Sequence, residues 1–292
     1  MVSHEHSRAE SGCCPLRAES VEWRLDKLSA QTVTDLALSV NVSAVGIATI
    51  GWSGPVNAEL LEGALRAAAE DLLAGRGLRR VEVSLPASDL SGRRAVLRAG
   101  FRLEGVRRQV LALPDGSYAD IGLFSRLASD QVGGSHGFSS VMNSALPKKR
   151  LIAHVLMRDV QDRVVLCETQ FKQDWELPGG IVEPLEPPRL GAVREVREEL
   201  GLDLQVGRLL VVDWMPPYLG WDDAIEMIFD GGLVTDNDLA SWSLQPTEIK
   251  AVGLVDLPTA SELLTPLAFR RLSLVVGLGP DEMAYTEDGR TP

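Results

Sequence analysis

The sequence predicts an α/β protein of two domains. Its 292 residues exceed the usual size of a single domain, and 45% of them are hydrophobic, which is enough to form two buried cores. Stretches with the alternating period of strands are interspersed with stretches of helical period along most of the chain. A segment rich in glycine and serine, without apolar periodicity, lies between the two halves at 129–148, and we interpret it as a linker.

Composition sets the outer boundaries of the two domains. Residues 1–18 and 280–292 are polar segments, and we expect both to be flexible tails. The folded segments between them are then 19–128 and 149–279, on either side of the linker. The second of these reads as a mixed α/β sandwich, with strands before and after a central helix.

The charge balance excludes several classes of partner. The chain has 29 Lys and Arg residues against 41 Asp and Glu residues, a net charge of −12. Such a chain lacks the clustered cations needed to bind nucleic acid or an anionic membrane. Its three cysteines form no disulfide framework, and no apolar run approaches the length of a membrane span or an export signal. We therefore expect a cytoplasmic protein.

The first domain is predicted from alternating strand and helix patterns. Asn57 is a candidate N-cap for a helix that continues to about Ala74, and a hairpin is expected around 114–116. The other predicted elements are a strand at 44–52, a strand at 79–85 and a helix at 91–99.

The second domain opens with two strands joined by a polar turn at Gln161 and Asp162. Helical sequence begins again near Thr259. The strands predicted in this domain are 150–157, 163–168, 209–214, 225–229 and 249–255.

One helix of the second domain carries a dense acidic cluster. Proline at Pro187 and Pro188 suits a first helical turn, and Gly201 suits the end of the helix. At 100° per residue the apolar side chains form one face and the acidic ones the opposite face. The predicted apolar face is Leu190, Val193, Val196 and Leu200, and the acidic face is Glu195, Glu198 and Glu199.

Three carboxylates at this spacing repel one another unless a positive charge lies between them. One interpretation is a solvated acidic face, neutralised by Arg194 and Arg197. The other is a site for a hard cation, because dense oxygen donors select Mg²⁺ or Mn²⁺. The flanking sequence, Trp-Glu-Leu-Pro-Gly-Gly at 175–180 and Gly-Leu at 201–202, favours the second.

This segment resembles the Nudix box at every defined position. Gly180 is followed after five residues by Glu186, and after seven more by Arg194-Glu195-Val196; Glu198-Glu199 and Gly201-Leu202 complete the motif. The resemblance implies a Nudix fold, a mixed sheet sandwiched by helices. It also implies hydrolysis of a nucleoside diphosphate linked to another group, with Mg²⁺ or Mn²⁺ as cofactor.

The resemblance also implies roles for individual residues. Glu195 and Glu199 are expected to be the principal metal ligands, with the Gly179 carbonyl as a backbone ligand. Glu198 is expected to be a third ligand or the base that activates water. The charged pair of Glu186 and Arg194 is expected to brace the loop.

Glu248, in the sequence QPTEIK, lies where the family can also place a base or a further metal contact. The alternative is an ordinary exposed glutamate in a loop. The loop at 184–188 reads Pro-Leu-Glu-Pro-Pro, where the family often has a Gly-Glu turn. Outside the motif, Trp214, Tyr218 and Trp221 are candidates for stacking on a base or for packing in a core or lid.

The stretch from Val45 to Leu127 resembles the later part of a GNAT-type N-acetyltransferase, through the segments 77–83, 91–105 and 116–124. That family binds acetyl-CoA on backbone amides of an Arg/Gly-rich loop that enters a helix. Here the corresponding loop, 53–57, has no arginine and contains Pro55. Asp89 and Gly92 replace the family's Asn and Ser on the next helix. We expect the fold without the cofactor.

Together these observations predict a degenerate acetyltransferase-like domain followed by a Nudix pyrophosphohydrolase that acts on a small nucleotide-type substrate. We expect neither nucleic acid nor a membrane as a partner. The sequence does not decide whether the protein forms a homodimer. The alternatives are a bifunctional protein with an active acetyltransferase domain and a nucleotide-sensing Nudix protein without catalytic activity.

Overall fold

Two compact units make up the chain, which divides between Pro147 and Lys148. The computed structural model describes residues 19–24, 36–53 and 57–292; the tail predicted at 1–18 lies outside them. Each unit combines helices with a mixed sheet, so the predicted α/β fold class is confirmed. Within the described part of the chain, none of the helices has the length and apolar character needed to span a membrane.

The first unit is built on a six-stranded sheet of order β1-β2-β3-β4-β6-β5. Only β3 and β4 pair in parallel, and β5 and β6 form the predicted hairpin. Its strands are β1 (Glu19–Arg24), β2 (Ala37–Val42), β3 (Ile47–Trp52), β4 (Arg80–Pro86), β5 (Arg102–Ala112) and β6 (Tyr118–Leu127). Its helices are α1 (Ala58–Glu70), extended by a π-helical turn (Asp71–Gly75), α2 (Leu90–Arg98) and α3 (Gly134–Ala145).

Helix α1 begins where the sequence predicts. The Asn57 side chain accepts a 2.8 Å hydrogen bond from the Glu59 amide, which satisfies one of the free amides of the first turn. The buried face of α1 includes Leu61 and Leu65 and packs with the sheet around Val81. This cluster forms the core of the first unit.

The linker predicted at 129–148 is wrong, because most of it is helix α3. The Ser144 hydroxyl accepts a 3.0 Å hydrogen bond from the Leu103 amide, and Arg93 donates to the Ala145 carbonyl. Only Gly137 and Val141 of this helix are buried. Phe138, Val141 and Met142 do have helical spacing, but the many glycines and serines around them are typical of a loop and concealed this short pattern.

The second unit is built on a seven-stranded sheet of order β12-β8-β7-β11-β10-β13, with β9 paired to β7. Strands β7 and β11 are parallel, as are β10 and β13. The strands are β7 (Arg150–Arg158), β8 (Val164–Thr169), β9 (Gly179–Ile181), β10 (Leu209–Met215), β11 (Ala224–Leu233), β12 (Ile249–Val255) and β13 (Ala284–Glu287). The helices are α4 (Pro188–Leu200), α5 (Asp236–Ser241), α6 (Leu257–Leu263) and α7 (Pro266–Val276).

Helices cover both faces of this sheet. On one face α4 contributes Val196 and Leu200 to a buried cluster with Val155 of β7. On the other face α7 contributes Leu272 to a cluster with Leu156. Successive residues of β7 therefore point to opposite cores, which explains its nearly continuous apolar sequence.

The C-terminal tail predicted at 280–292 is also wrong in part, because Ala284–Glu287 form strand β13. This strand pairs with β10 from Val211 to Trp214, and Thr286 is fully buried. A four-residue strand in a polar, glycine-containing segment gives too short an alternation to be predicted from sequence.

Candidate functional site

Local sequence fixes the ends of helix α4. Pro188 occupies the first turn, and Gly201 ends the helix with a φ of 66° while its amide donates to the Arg197 carbonyl. Only glycine adopts this left-handed conformation without steric cost. The predicted ends of the acidic helix are confirmed.

The buried face of α4 differs from the prediction. Leu190 is 56% exposed, whereas Glu199 is only 6% exposed. Ala192, Val196 and Leu200 pack in the core beside the sheet. Glu199 lies on the same side of the helix, three residues after Val196, so the buried face is rotated toward Glu199 relative to the prediction.

Glu199 is a buried carboxylate beside strand β9. The Gly179 amide donates a 2.9 Å hydrogen bond to its Oε2 atom. Burial raises the pKa of Glu199 to about 7, while this hydrogen bond and the positive charge of His154 oppose the rise. At neutral pH Glu199 is therefore about half ionised, and an additional positive charge nearby would favour its ionised form.

Arg194 connects the acidic helix to the preceding loop. Its guanidinium forms two hydrogen bonds with Glu186, of 3.0 and 3.1 Å, and donates to the Ile181 carbonyl. Its Nη1 atom also lies 3.0 Å from a carboxylate oxygen of Glu195 and of Glu198. Arg194 thus separates carboxylates that would otherwise repel one another.

Glu195 lies directly against the glycines that precede the loop. A Cβ atom on Gly180 would be 2.9 Å from its Cδ atom, so a larger residue at position 180 would displace the carboxylate. Burial raises the pKa of Glu195; Arg194 acts in the opposite direction, and the negative charges of Glu198 and Glu248 add to the rise.

Glu248 lies in the turn before β12, and its negative charge acts on Glu195. This turn contacts the end of α4, because the Gln245 amide donates a 2.8 Å hydrogen bond to the Glu199 carbonyl. The Glu248 carbonyl accepts from the Gln170 amide, and its side chain is exposed. Two separated segments of the sequence thus present carboxylates on one side of the unit.

The donor set suits a hard divalent cation. It consists of the carboxylates of Glu195, Glu198 and Glu199 and the backbone carbonyl of Gly179, all oxygen donors, as Mg²⁺ and Mn²⁺ prefer. The unsatisfied charge of buried Glu199 is consistent with this chemistry. Among the described residues, no three His, Cys, Asp or Glu side chains are already grouped around a common point, since Glu195 and Glu198 both contact Arg194.

Behind this site lies a buried polar chain that sequence reasoning missed. His154 on β7 is 2.9 Å from Glu226 on β11, and Arg271 on α7 is 2.7 Å from the same carboxylate. Burial alone would lower the pKa of His154, but Glu226 raises it above the ordinary value; burial would raise the pKa of Glu226, but Arg271 and His154 lower it.

The signal for this network was the presence of ionisable residues inside three apolar segments: one each in IAHVL and AIEMI, and two in AFRRL. An ionisable group in such a place requires a partner. Pattern alone does not show which groups are paired.

The three candidate aromatic side chains divide into two kinds. Trp214 is partly buried, and its indole donates to Asp223. Tyr218 and Trp221 are 60% and 58% exposed in the loop between β10 and β11, and the Arg150 guanidinium stacks 4.5 Å from the Trp221 ring centroid. Stacking on a nucleobase stays a prediction for the exposed pair.

In the first unit, the residues that stand in the family's cofactor positions have a structural role. The Asp89 carboxylate accepts a 2.8 Å hydrogen bond from the Gly92 amide and caps helix α2. A Cβ on Gly92 would be 2.3 Å from an Asp89 oxygen. Of the expected cofactor loop, residues 54–56 lie outside the described part of the chain.

Comparison with known proteins identifies a domain in the second unit. Residues 148–275 match the family model of the NUDIX domain. A 64-residue stretch of the chain is 41% identical to human diphosphoinositol polyphosphate phosphohydrolase 2, covering 22% of this chain and 36% of that protein. The chain therefore spans about a third of the length of this curated relative.

Two solved structures are similar to parts of this chain. The MutT protein from Methanosarcina mazei Go1 is 25% identical with a TM-score of 0.38, covering 46% of this chain and 100% of that one. A ribosomal-protein-S5-alanine acetyltransferase from Vibrio fischeri is 17% identical with a TM-score of 0.29, covering 32% of this chain and 55% of that one.

Proposed function

We propose that the NUDIX domain hydrolyses the pyrophosphate linkage of a nucleoside diphosphate bound to another group, in a reaction that requires Mg²⁺ or Mn²⁺. The observation that carries this proposal is the buried carboxylate of Glu199, placed beside Gly179 and on the same helix as Glu195 and Glu198. A complete Nudix box at these positions supports it.

In this proposal Glu195 and Glu199 are the principal metal ligands, with the Gly179 carbonyl as a backbone donor. When bound, a divalent cation lowers the pKa of the attacking water and offsets charge on the leaving phosphate. Glu186 and Arg194 have a different role, because their paired hydrogen bonds hold the loop against the helix.

The base that accepts the proton from water is assigned to Glu248 or Glu198. Both carboxylates are exposed and both act on the charge state of Glu195, so either can reach a water molecule at the site. Glu198 is also within hydrogen-bond distance of Arg194, at 3.0 Å. Exchange of each for glutamine distinguishes them.

Charge favours a nucleotide over a more highly phosphorylated substrate. The human relative is a diphosphoinositol polyphosphate phosphohydrolase. The second unit has 14 Lys and Arg against 25 Asp and Glu, a net charge of −11, and Arg194 is engaged by three carboxylates. A substrate with two phosphates and a planar base suits this surface better, since exposed Trp221 offers stacking area.

We propose that the first unit has an acetyltransferase-like fold without acetyl transfer. Asp89 is used as a helix cap, and Pro55 removes an amide from the loop that would bind the cofactor phosphates. The specific observations favour a packing or recognition module over a second active enzyme.

The test is hydrolysis by the purified full-length protein of a panel of nucleotide sugars, dinucleotides, nucleoside triphosphates, CoA and an inositol pyrophosphate, with Mg²⁺. New phosphate ends are identified by ³¹P NMR. Glu262→Gln, on the exposed surface of α6, is the matched control for Glu199→Gln. Hydrolysis of a nucleotide substrate by the wild type and the control supports the proposal; no hydrolysis of any substrate contradicts it.

A further inference from the structure

We propose that the C-terminal strand β13 and the turn after it position the Gly179–Glu199 contact, through a buried chain of charged side chains across the sheet. This inference rests on the proposed function, because it assigns positioning residues to that same site. From the C-terminal end, the chain consists of Thr286, Asp213, Arg271, Glu226 and His154.

The side-chain network is fixed at its Thr286 end by hydrogen bonds to Asp213. The Thr286 hydroxyl donates to its Oδ1 atom at 2.6 Å, and the Gly289 amide donates to the same atom at 3.0 Å. Asp213 and Thr286 are both fully buried. Arg270 also donates to the Asp288 carbonyl, so the turn is held from two sides.

The middle of the chain is a guanidinium between two carboxylates. Arg271 places Nη1 2.9 Å from Asp213 and Nη2 2.7 Å from Glu226. All three side chains are at most 7% exposed. A buried charge cannot leave its partner without a large desolvation cost, so a displacement of Asp213 is passed on to Arg271 and then to Glu226.

The other end of the chain meets the proposed metal site at strand β9. His154 is held 2.9 Å from Glu226 and is the register partner of Gly179. A Cβ on Gly179 would be 2.8 Å from the His154 Cα and 3.0 Å from its ring. There is no free space between the two residues, and a shift of His154 therefore displaces the amide that binds Glu199.

The C-terminal contribution lies outside the part that matches the family model. That match ends at residue 275, whereas Thr286 and Gly289 follow it. Strand β13 thus lies outside the matched region although it pairs with β10 in the sheet, and its buried Thr286 hydroxyl makes no contribution to the apolar core. The hydrogen bond from Thr286 to the buried carboxylate of Asp213 therefore serves to orient that carboxylate rather than to bury apolar surface.

The experiment compares Thr286→Val with Thr286→Ser in the full-length protein. The valine variant keeps the shape but loses the donor to Asp213, and the serine variant keeps the donor. Tyr285→Phe is the control, because the exposed Tyr285 hydroxyl contacts only its strand neighbour Glu287. Glu226→Gln applies the same test from the other end of the chain.

Two readouts separate positioning from stability. The first is steady-state kinetics: Thr286→Val should lower kcat at least threefold with KM changed less than twofold, while Thr286→Ser and Tyr285→Phe keep wild-type values. The second is hydrogen exchange by NMR, in which the Gly179 amide should exchange at least tenfold faster in Thr286→Val, and amides of β8 should not.

A lower melting temperature with unchanged kcat, and with equal changes in exchange at Gly179 and β8, would show that β13 only stabilises the fold and would overturn the inference. If the wild type hydrolyses nothing, the proposed function fails, and the exchange of Gly179 still decides whether the chain positions it. Glu226→Gln gives the same decision if Thr286→Val does not fold.

Discussion

The Gly179 amide donates a 2.9 Å hydrogen bond to Glu199, although 20 positions separate the two residues in the chain. Strand β9 and the penultimate residue of helix α4 meet at this contact. It places an acidic side chain among buried groups, where its charge is costly without a cation. The chemistry proposed for the second unit depends on this arrangement.

The first prediction concerns the pH dependence of stability without metal. The pKa of Glu199 is raised to about 7, so its contribution to stability is present at low pH and is lost as pH rises from about 4.5 through 7. Glu199→Gln should therefore match the wild type at pH 5 and exceed its free energy of unfolding by up to about 3 kcal/mol at pH 8.

Urea unfolding in EDTA at the two pH values measures this difference. Glu262→Gln, an exposed change of the same kind, retains Glu199 and should have the same pH dependence of stability as the wild type. If the free energy of unfolding of Glu199→Gln differed from that of the wild type by the same amount at both pH values, the pKa of Glu199 would not be raised by burial.

The second prediction concerns the proton acceptor. Glu248→Gln should lower kcat at least tenfold with little change in KM, because an amide cannot take the proton from water. A rate near that of the wild type would assign the base to Glu198, whose exchange for glutamine should then carry the loss.

The third prediction concerns the loop before the acidic helix. Leu185 is fully exposed and has a φ of 69°, a left-handed conformation that costs a leucine about 1–2 kcal/mol. Leu185→Gly should raise the free energy of unfolding by about 0.5–1 kcal/mol, after the greater flexibility of glycine in the unfolded chain is subtracted.

Leu185→Ala retains the Cβ atom and its strain, and should not gain stability. Thermal unfolding of the two variants measures the difference. Equal stability of the glycine and alanine variants would show that the backbone at position 185 is not strained.

The sequence predicted the ends of helices α1 and α4, because these ends are determined by residues close together in the chain. Pro188 and Gly201 mark the ends of α4, and Asn57 marks the start of α1, because capping is decided by a few neighbouring residues. The apolar periods of β3, β4, β7, β8, β10, β11 and β12 also predicted these strands, whereas β1, β2, β9 and β13 were not predicted.

Features that depend on tertiary packing were missed. Ser144 and Arg93 hold helix α3 through hydrogen bonds, and Thr286 holds β13 in the same way. Hydrophobic periodicity does not predict polar contacts of this kind. Glu199 is buried because it lies on the side of α4 that packs in the core through Val196 and Leu200. The pairing of His154 with Glu226 joins strands 72 positions apart. Sequence patterns identify such residues singly but not as partners.

The fourth prediction concerns acetyl-CoA. The loop at 53–57 contains no cation and includes Pro55, and charge-assisted hydrogen bonds lost at such a loop are worth about 1.5–3 kcal/mol each. Loss of two would weaken binding about a hundredfold or more. Calorimetry should therefore show no saturable binding of acetyl-CoA at micromolar concentration.

Full-length Glu199→Gln in EDTA is the protein to titrate, because any hydrolysis of the CoA pyrophosphate by the second unit is then suppressed. A micromolar isotherm would restore the bifunctional enzyme as the better account of the first unit.

The most direct measurement of the central proposal is the rate at which new phosphate ends form from a nucleoside diphosphate derivative, followed by ³¹P NMR in Mg²⁺ and in EDTA. The wild type should turn over with Mg²⁺ and stop in EDTA. Glu199→Gln should be at least a hundredfold slower in kcat while remaining folded, since a lost metal contact removes several kcal/mol of transition-state stabilisation. Full turnover in EDTA, or an unchanged rate for Glu199→Gln, would contradict a metal-dependent hydrolase built on this helix.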